Sequence, residues 1–423
     1  MNIAGFTADA LGNHNYDRGQ DHMARIASAA AFPFLSANTV FADTGKQAPW
    51  AKPSMMLTMN CVRVGLIGVT NPEAPALVSP SALANLKFSD PAPAVKAEAA
   101  NLRRQGAQVV IALFHGGATQ FSASTEPYFV KGNPEGPAID LAKALAPGEI
   151  DVLVADHTDV KVRAMINGIL VVENLSKGRT YSDIDLHVSP RDGVVYKTAR
   201  VRPAWNLGVV PDAQVKASID RYAEALKPIF NEVVGESGTL ITRSRGGESL
   251  MGNLVTDALR AKYGSQIALQ NSGGLRADID AGPVSYGEVF NVLPFGNQAA
   301  TLKLPGTAIL AALENGVSDF SGSAGRFIRV SGISFTYDQS KPVGQCVVAV
   351  FLDQARTQPL DPNTTNTVFT NHFMLTGGDN YTMLAQGTDK VTRDILVNDV
   401  IEYVRATGPL NPQIEGRIQV LGK

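Results

Sequence analysis

Residues 11–19 read Leu-Gly-Asn-His-Asn-Tyr-Asp-Arg-Gly, and their core is a Gly-Asn-His-x-x-Asp pattern beginning at Gly12. Two later apolar runs also end in a histidine: Ile111-Ala112-Leu113-Phe114-His115 and Asp151-Val152-Leu153-Val154-Ala155-Asp156-His157-Thr158-Asp159. Imidazoles, an Asn carbonyl and carboxylates at the tips of buried strands are the donors a pair of divalent ions takes when it activates water against a phosphate ester. Asn13 offers a neutral carbonyl ligand. His14, next in the chain, points elsewhere and is placed to face a phosphate. Asp17, three residues on, orients His14 by accepting its other ring proton. His115 and His157 are candidate imidazole ligands. Asp159 reaches the face of His157 if the stretch is extended. His22, His187 and His372 carry no such context and are read as structural.

A second set lies in the C-terminal half. Arg243-Ser244-Arg245 precedes Glu248-Ser249-Leu250-Met251-Gly252-Asn253, which opens a helix; Asn271-Ser272-Gly273-Gly274-Leu275-Arg276 follows the apolar Ile267-Ala268-Leu269. Leu293-Pro294-Phe295-Gly296-Asn297, a loop at Gly325 and Thr376-Gly377-Gly378-Asp379-Asn380-Tyr381 come later. A Gly-Gly turn lets backbone approach a ligand closely, and Arg276 can fork onto a carboxylate or phosphate. Phe295 and Tyr381 follow Pro or Gly turns, where two rings can sandwich a purine.

The elements that must hold these residues are α/β. Candidate strands are 34–37, 62–70, 109–114, 152–155, 169–173 and 184–188. Helical patterns cover 90–105 and 138–146 between them. The early alternation predicts parallel strands, and the later close spacing predicts hairpins. The first residues read as the end of a helix followed by a strand. Pro203 to Pro211 is a junction, an amphipathic helix spans 212–233, and a second α/β unit begins near Ser249. The domains expected are 1–205, a linker helix at 206–235, and 236–423.

The chain has 423 residues, more than one hydrophobic core accommodates. Its net charge of −2, with no long Lys/Arg run, gives no groove for a nucleic-acid polymer. No apolar run reaches the roughly 18 residues of a membrane span, and the N-terminus does not read as a signal peptide. Cys61 and Cys346 are read as two buried free thiols.

These motifs together resemble the bacterial 5′-nucleotidase / 2′,3′-cyclic phosphodiesterase family, from residue 1 to about 420. The matching elements are Gly12-Asn13-His14-x-x-Asp17, the 32–38 strand, the His115 strand, the Asp156–Asp159 turn and the C-terminal loops. The resemblance implies a calcineurin-like metallophosphoesterase sandwich followed by a nucleotide-recognition α/β domain. It implies hydrolysis of a nucleotide phosphate ester by a metal-activated hydroxide at two divalent ions, manganese, zinc or similar. Asn13, His115 and His157 would be metal ligands, with Asp159 standing where the family has His or Gln, and His14 with Asp17 a catalytic dyad. Phe295 and Tyr381 would stack the base. Arg243 or Arg245, with Arg276, would hold the ribose and phosphate side, Asn297 would contact the base, and Asn271, Gly274 and Gly325 would line the pocket. The family's Asp-x-His and Gly-Asp motifs lie upstream of residue 1. One metal site is therefore expected to be incomplete, the chain to be N-terminally truncated, and the full-length parent to be periplasmic or extracellular. The competing expectation is a nucleotide-binding fragment without hydrolysis. A sulfur-oxidation thiohydrolase is a further relative, disfavoured by the aromatic pair and Arg276.

Overall fold

The computed structural model describes residues 1–118, 134–320 and 325–422. The chain divides into two compact units, Met1–Ala217 and Ser218–Lys423.

The first unit is built on a six-stranded sheet ordered Ser54–Met59, Val62–Thr70, Val109–His115, Val152–Ala155, Ile169–Glu173, Val162–Ile166. The four central strands are parallel, and the two edge strands pair antiparallel. Their continuous Val/Ile/Leu runs belong to a sheet covered on both faces. On one face, helices Pro91–Arg104 and Pro137–Ala144 bury Val95, Ala99, Leu102, Ile139 and Leu141 against Ile67, Val110, Leu153 and Val171. On the other, the long hairpin Thr180–Ser189/Gly193–Pro203 packs Ile184, Leu186 and Ala199 on Val152, Leu170 and Val172. The Pro91–Arg104 helix starts with Pro at its first position and an Asp90 cap on Ala92 N–H, and ends with Arg103 and Arg104, which suit a helix C-terminus.

A short parallel pair, Asp9–Ala10 with Phe34–Leu35, lies beside this sheet. It comes close because Gly68 has no side chain: a Cβ there would sit 2.3 Å from Leu35 backbone. Three expectations are corrected in this unit. The 34–37 run contributes only two strand residues. Residues before Asp9 form a turn rather than the end of a helix. Cys61 is exposed on a hairpin turn, while Cys346 is buried; both are free.

The second unit holds a five-stranded sheet, ordered Ile328–Ser331, Ile267–Asn271, Thr365–Asn371, Gln298–Pro305, Thr388–Ile395. Only Ile267–Asn271 and Thr365–Asn371 pair in parallel. Helices Leu250–Tyr263 and Leu396–Ala406 cover one face and Gly306–Val317 the other. Ser249 caps the first of these through Gly252 N–H, and Gly264, at φ 59°, ends it in the left-handed conformation glycine favours.

Candidate active site and nucleotide pocket

In the first unit the candidate donors arrive from three strand ends. The Asp9–Ala10 strand runs into a single 3-10 turn, Asn13–Tyr16. Asn15 fixes this turn by accepting the Gly12 N–H at 2.8 Å, and Tyr16 anchors it in the core. Asn13, 2% exposed, is thereby aimed at the end of the Val109–His115 strand. Its Oδ1 lies 3.0 Å from His115 Nε2, and His157 Nδ1 lies 3.1 Å from that same nitrogen. The two imidazoles meet edge to face with centroids 4.9 Å apart.

His115 gives its other nitrogen to a carboxylate: Nδ1 is 3.1 Å from Asp156 Oδ2. A ring that donates Nδ1–H to Asp156 leaves a lone pair on Nε2, beside the Asn13 oxygen and His157 Nδ1. With His157 Nδ1 also unprotonated, the Asn13 oxygen and two imidazole nitrogens make a donor set that a cation can take. Donors at right angles on one ion, with bonds of about 2.1 Å, stand about 3.0 Å apart. The set Asn13, His115 and His157 therefore fits a divalent ion, with Asp156 as the outer carboxylate that fixes a ligating imidazole. Crowding of the His157 ring away from water holds its pKa down to about 4, and charge on His115 and His14 acts the same way. Burial works to raise Asp156, but the His115 hydrogen bond and the His157 N–H outweigh it, so this carboxylate is held low.

Sequence reasoning passed over Asp156 and Asp9. Asp9 is pushed up by burial and by the nearby Asp156 charge. The signal for Asp156 was its place directly before His157. Asp159 is the correction. His157 and Asp159 both have positive φ, 97° and 59°, so the stretch is a tight turn and not extended. Asp159 is felt at His157 as charge but is not hydrogen-bonded into the cluster. Among the described residues, no group of three or more His, Cys, Asp or Glu is arranged to hold a metal. His14 and Asp17 do meet, Nδ1 to Oδ2 at 2.9 Å, with the His14 side chain 49% exposed.

In the second unit a pocket is lined by Gln270, Gly274, Leu293, Phe295, Asn297, Asn371 and Leu396. Phe295, Asn297 and Gly274 are thus brought together in one pocket. The Arg276 guanidinium lies 5.5 Å over the Phe295 ring, and its Nη1 donates to Gly273 O at 3.4 Å. A Cβ on Gly274 would stand 2.4 Å from Gln270 Nε2, so a side chain there would push the Gln270 amide aside. Gly273 N–H donates to Gly325 O at 2.7 Å, which joins the two glycine loops. Arg245 Nη1 would stand 3.7 Å from a Cβ on Gly325. Arg243 is fastened by its N–H to Asp278 at 2.8 Å.

Asn271 is buried below the pocket and donates to Asp379 at 2.7 Å, while Asn371 bridges Gln270 and Asn271. Burial pushes Asp379 up to about 6. Gln270 and Asn371 were missed because they become neighbours only through parallel pairing of two strands far apart in the chain.

Tyr381 is the second correction. It is fully buried in the apolar core with Phe327, Tyr337 and Leu384, and its hydroxyl donates to Arg326 O at 2.5 Å. No face of the ring is open to stack on a base.

Residues 232–386 match the family model described as the 5′-nucleotidase C-terminal domain. Along its whole length the chain is similar to the endonuclease YhcR of Bacillus subtilis strain 168, at 29% identity over 99% of this chain and 34% of that protein. It therefore spans about a third of that relative. The 5′-nucleotidase of Diplobatis ommata is 28% identical over 99% of this chain and 76% of its own. The structure of a 5′-nucleotidase precursor from Thermus thermophilus superimposes with a TM-score of 0.85 at 28% identity, covering 99% of this chain and 84% of that one.

Proposed function

We propose that the chain, whose residues 232–386 match the 5′-nucleotidase C-terminal domain, is a phosphoric ester hydrolase that cleaves the phosphate from a nucleotide with divalent metal. The observation that carries this reading is the approach of both Asn13 and His157 to His115 Nε2, with Asp156 behind His115. A divalent ion held there would neutralise phosphoryl oxygens and acidify a water. The chain's own groups do the rest. Asp17 accepts the Nδ1 proton of His14, which keeps Nε2 as the end of the ring that faces substrate. In the imidazolium form, with both ring nitrogens protonated, His14 would donate Nε2–H to an oxygen of the phosphate as negative charge grows on it, a charge-matched donor for such a reaction.

In the second unit, Phe295 offers the apolar face for the base and Arg276 stacks behind it. Asn297, in the pocket lining, would present its amide to the base edge. Arg243 and Arg245 supply positive charge for the ribose and phosphate side.

Phosphate release from AMP in excess manganese, beside a His14→Ala control, tests the reading. Release that the control loses by about a hundredfold or more supports it. No release from folded protein that still binds adenosine would leave nucleotide binding as the activity, the competing reading.

A further inference from the structure

One buried carboxylate has no part in the chemistry above. Glu173 closes the fully buried Ile169–Glu173 strand, and its own exposure is 0%. Among the described residues, it is paired with no cation. Its Oε2 accepts the Ala118 N–H at 2.8 Å, and its Oε1 accepts the Thr158 N–H at 3.1 Å and lies 2.7 Å from Thr158 Oγ1. Thr158 Oγ1 also lies 2.6 Å from Ala118 O. Two turns, forty residues apart in the chain, are thus tied to each other and to one side chain.

These turns carry the imidazoles. His115 stands three residues before Ala118, and His157 directly precedes Thr158. The turns are pressed so closely that a Cβ on Gly117 would lie 2.1 Å from Thr158 Oγ1. The second turn is also strained. His157 and Asp159, on either side of Thr158, hold φ of 97° and 59°, a region that side-chain-bearing residues seldom occupy. Such strain persists only where the surroundings over-determine the backbone. Here the fixing contact is on the residue between them: both the N–H and the hydroxyl of Thr158 face Glu173.

We propose that Glu173 is a positioning residue, which locks the 116–118 and 156–159 turns together and so sets the spacing of His115 and His157. What that spacing serves rests on the hydrolase reading; the positioning itself does not. The experiment compares Glu173→Ala, Glu173→Gln and Thr158→Val with the unaltered chain. Amide hydrogen exchange is read on metal-free protein, and manganese affinity by titration.

In Glu173→Ala, exchange at Ala118 and Thr158 should rise together by about tenfold or more, while amides of the Val62–Thr70 strand hold their rates. Manganese should bind about 10- to 100-fold more weakly, an effect as large as that of losing an outer partner of a ligating imidazole, because both turns that carry the imidazoles are released. Glu173→Gln keeps the shape and one acceptor, so it should fall between Ala and the unaltered chain in both readouts. Exchange at Ala118 and Thr158 within twofold of the unaltered chain in the folded variants overturns the assignment. So does an unchanged manganese affinity where the unaltered chain binds the ion. If Glu173→Ala does not fold, the other two variants carry both comparisons. A chain that shows the expected exchange yet never releases phosphate from AMP defeats the hydrolase reading and leaves Glu173 in its role.

Discussion

Gly12→Ala separates the site from the fold. Gly12 has φ −110° and ψ 178°, extended backbone that any residue adopts, so alanine brings no backbone strain. What it brings is a methyl group 2.6 Å from His115 Cδ2 and 2.7 Å from both Cγ and Nε2. Ordinary contact begins at 3.4 Å, so the ring must retreat by about 0.8 Å. The obstructed atoms are the end of a side chain and can swing, unlike backbone. The stability cost should therefore stay near the low end for overpacking, about 1 kcal/mol, or about 2–4 °C for a unit of this size. The retreat carries Nε2 away from the Asn13 oxygen and His157 Nδ1, its partners at 3.0 and 3.1 Å. A misplacement approaching 1 Å at a reacting site costs on the order of a hundredfold in rate. Thermal unfolding and phosphate release from AMP in saturating manganese are measured together. A variant that melts within about 5 °C of the unaltered chain and has lost about 99% of its rate agrees with the geometry. A well-folded variant with rate and manganese affinity within twofold of the original would show that His115 is not held where its nitrogens suggest.

Phe295→Ala should weaken adenosine binding by about tenfold or more, the loss of one stacking face, with a larger effect on KM than on kcat. Tyr381→Phe removes the hydroxyl that donates to Arg326 O inside the core; it should cost about 1–3 kcal/mol of stability in urea unfolding and leave the AMP KM unchanged. Arg417, 5% exposed, grips Asp257 at 2.8 and 2.7 Å and Glu415 at 2.9 Å. Arg417→Ala should destabilise the second unit by about 2–3 kcal/mol, below the full cost of a buried pair because the Asp257 side chain is 33% exposed. Burial raises Glu173 from 4.5 to about 7, so the folded chain holds its proton more tightly than the unfolded one. Its contribution is complete below about pH 4.5 and fades as pH rises through 7, by about 3 kcal/mol at most. The depressed His157 gives an opposite slope in part of that window, so the Glu173 slope should appear as the difference in urea stability between the metal-free unaltered chain and Glu173→Gln.

What the sequence disclosed, and what it hid, follows from the range of the interactions concerned. Val62–Thr70, Val152–Ala155 and Ile169–Glu173 were readable because a strand covered on both faces is a continuous apolar run, a purely local pattern. Asn13, His115 and His157 were readable as strand-end donors for the same reason. Nothing local could say that Asp156 would take the second nitrogen of a histidine 41 residues away, or that Asp159 would be turned out of line by positive φ at His157. Tyr381 after a Gly-Gly turn has the local look of a loop aromatic. Its burial is decided by Arg326, 55 residues earlier, and by the core around Phe327 and Leu384. Glu173 is the strongest case. At the end of an apolar strand it reads only as the point where burial stops. Its three contacts lie 15 and 55 residues away, and only when the parallel strands align do they make it the innermost group of the turn pair. Donors that touch a ligand are recognisable by type, whereas groups that hold those donors in place are defined by where the chain returns. Substitutions at Glu173 and Gly117 should therefore impair this site as surely as changes at the histidines, although neither residue type suggests a role in it.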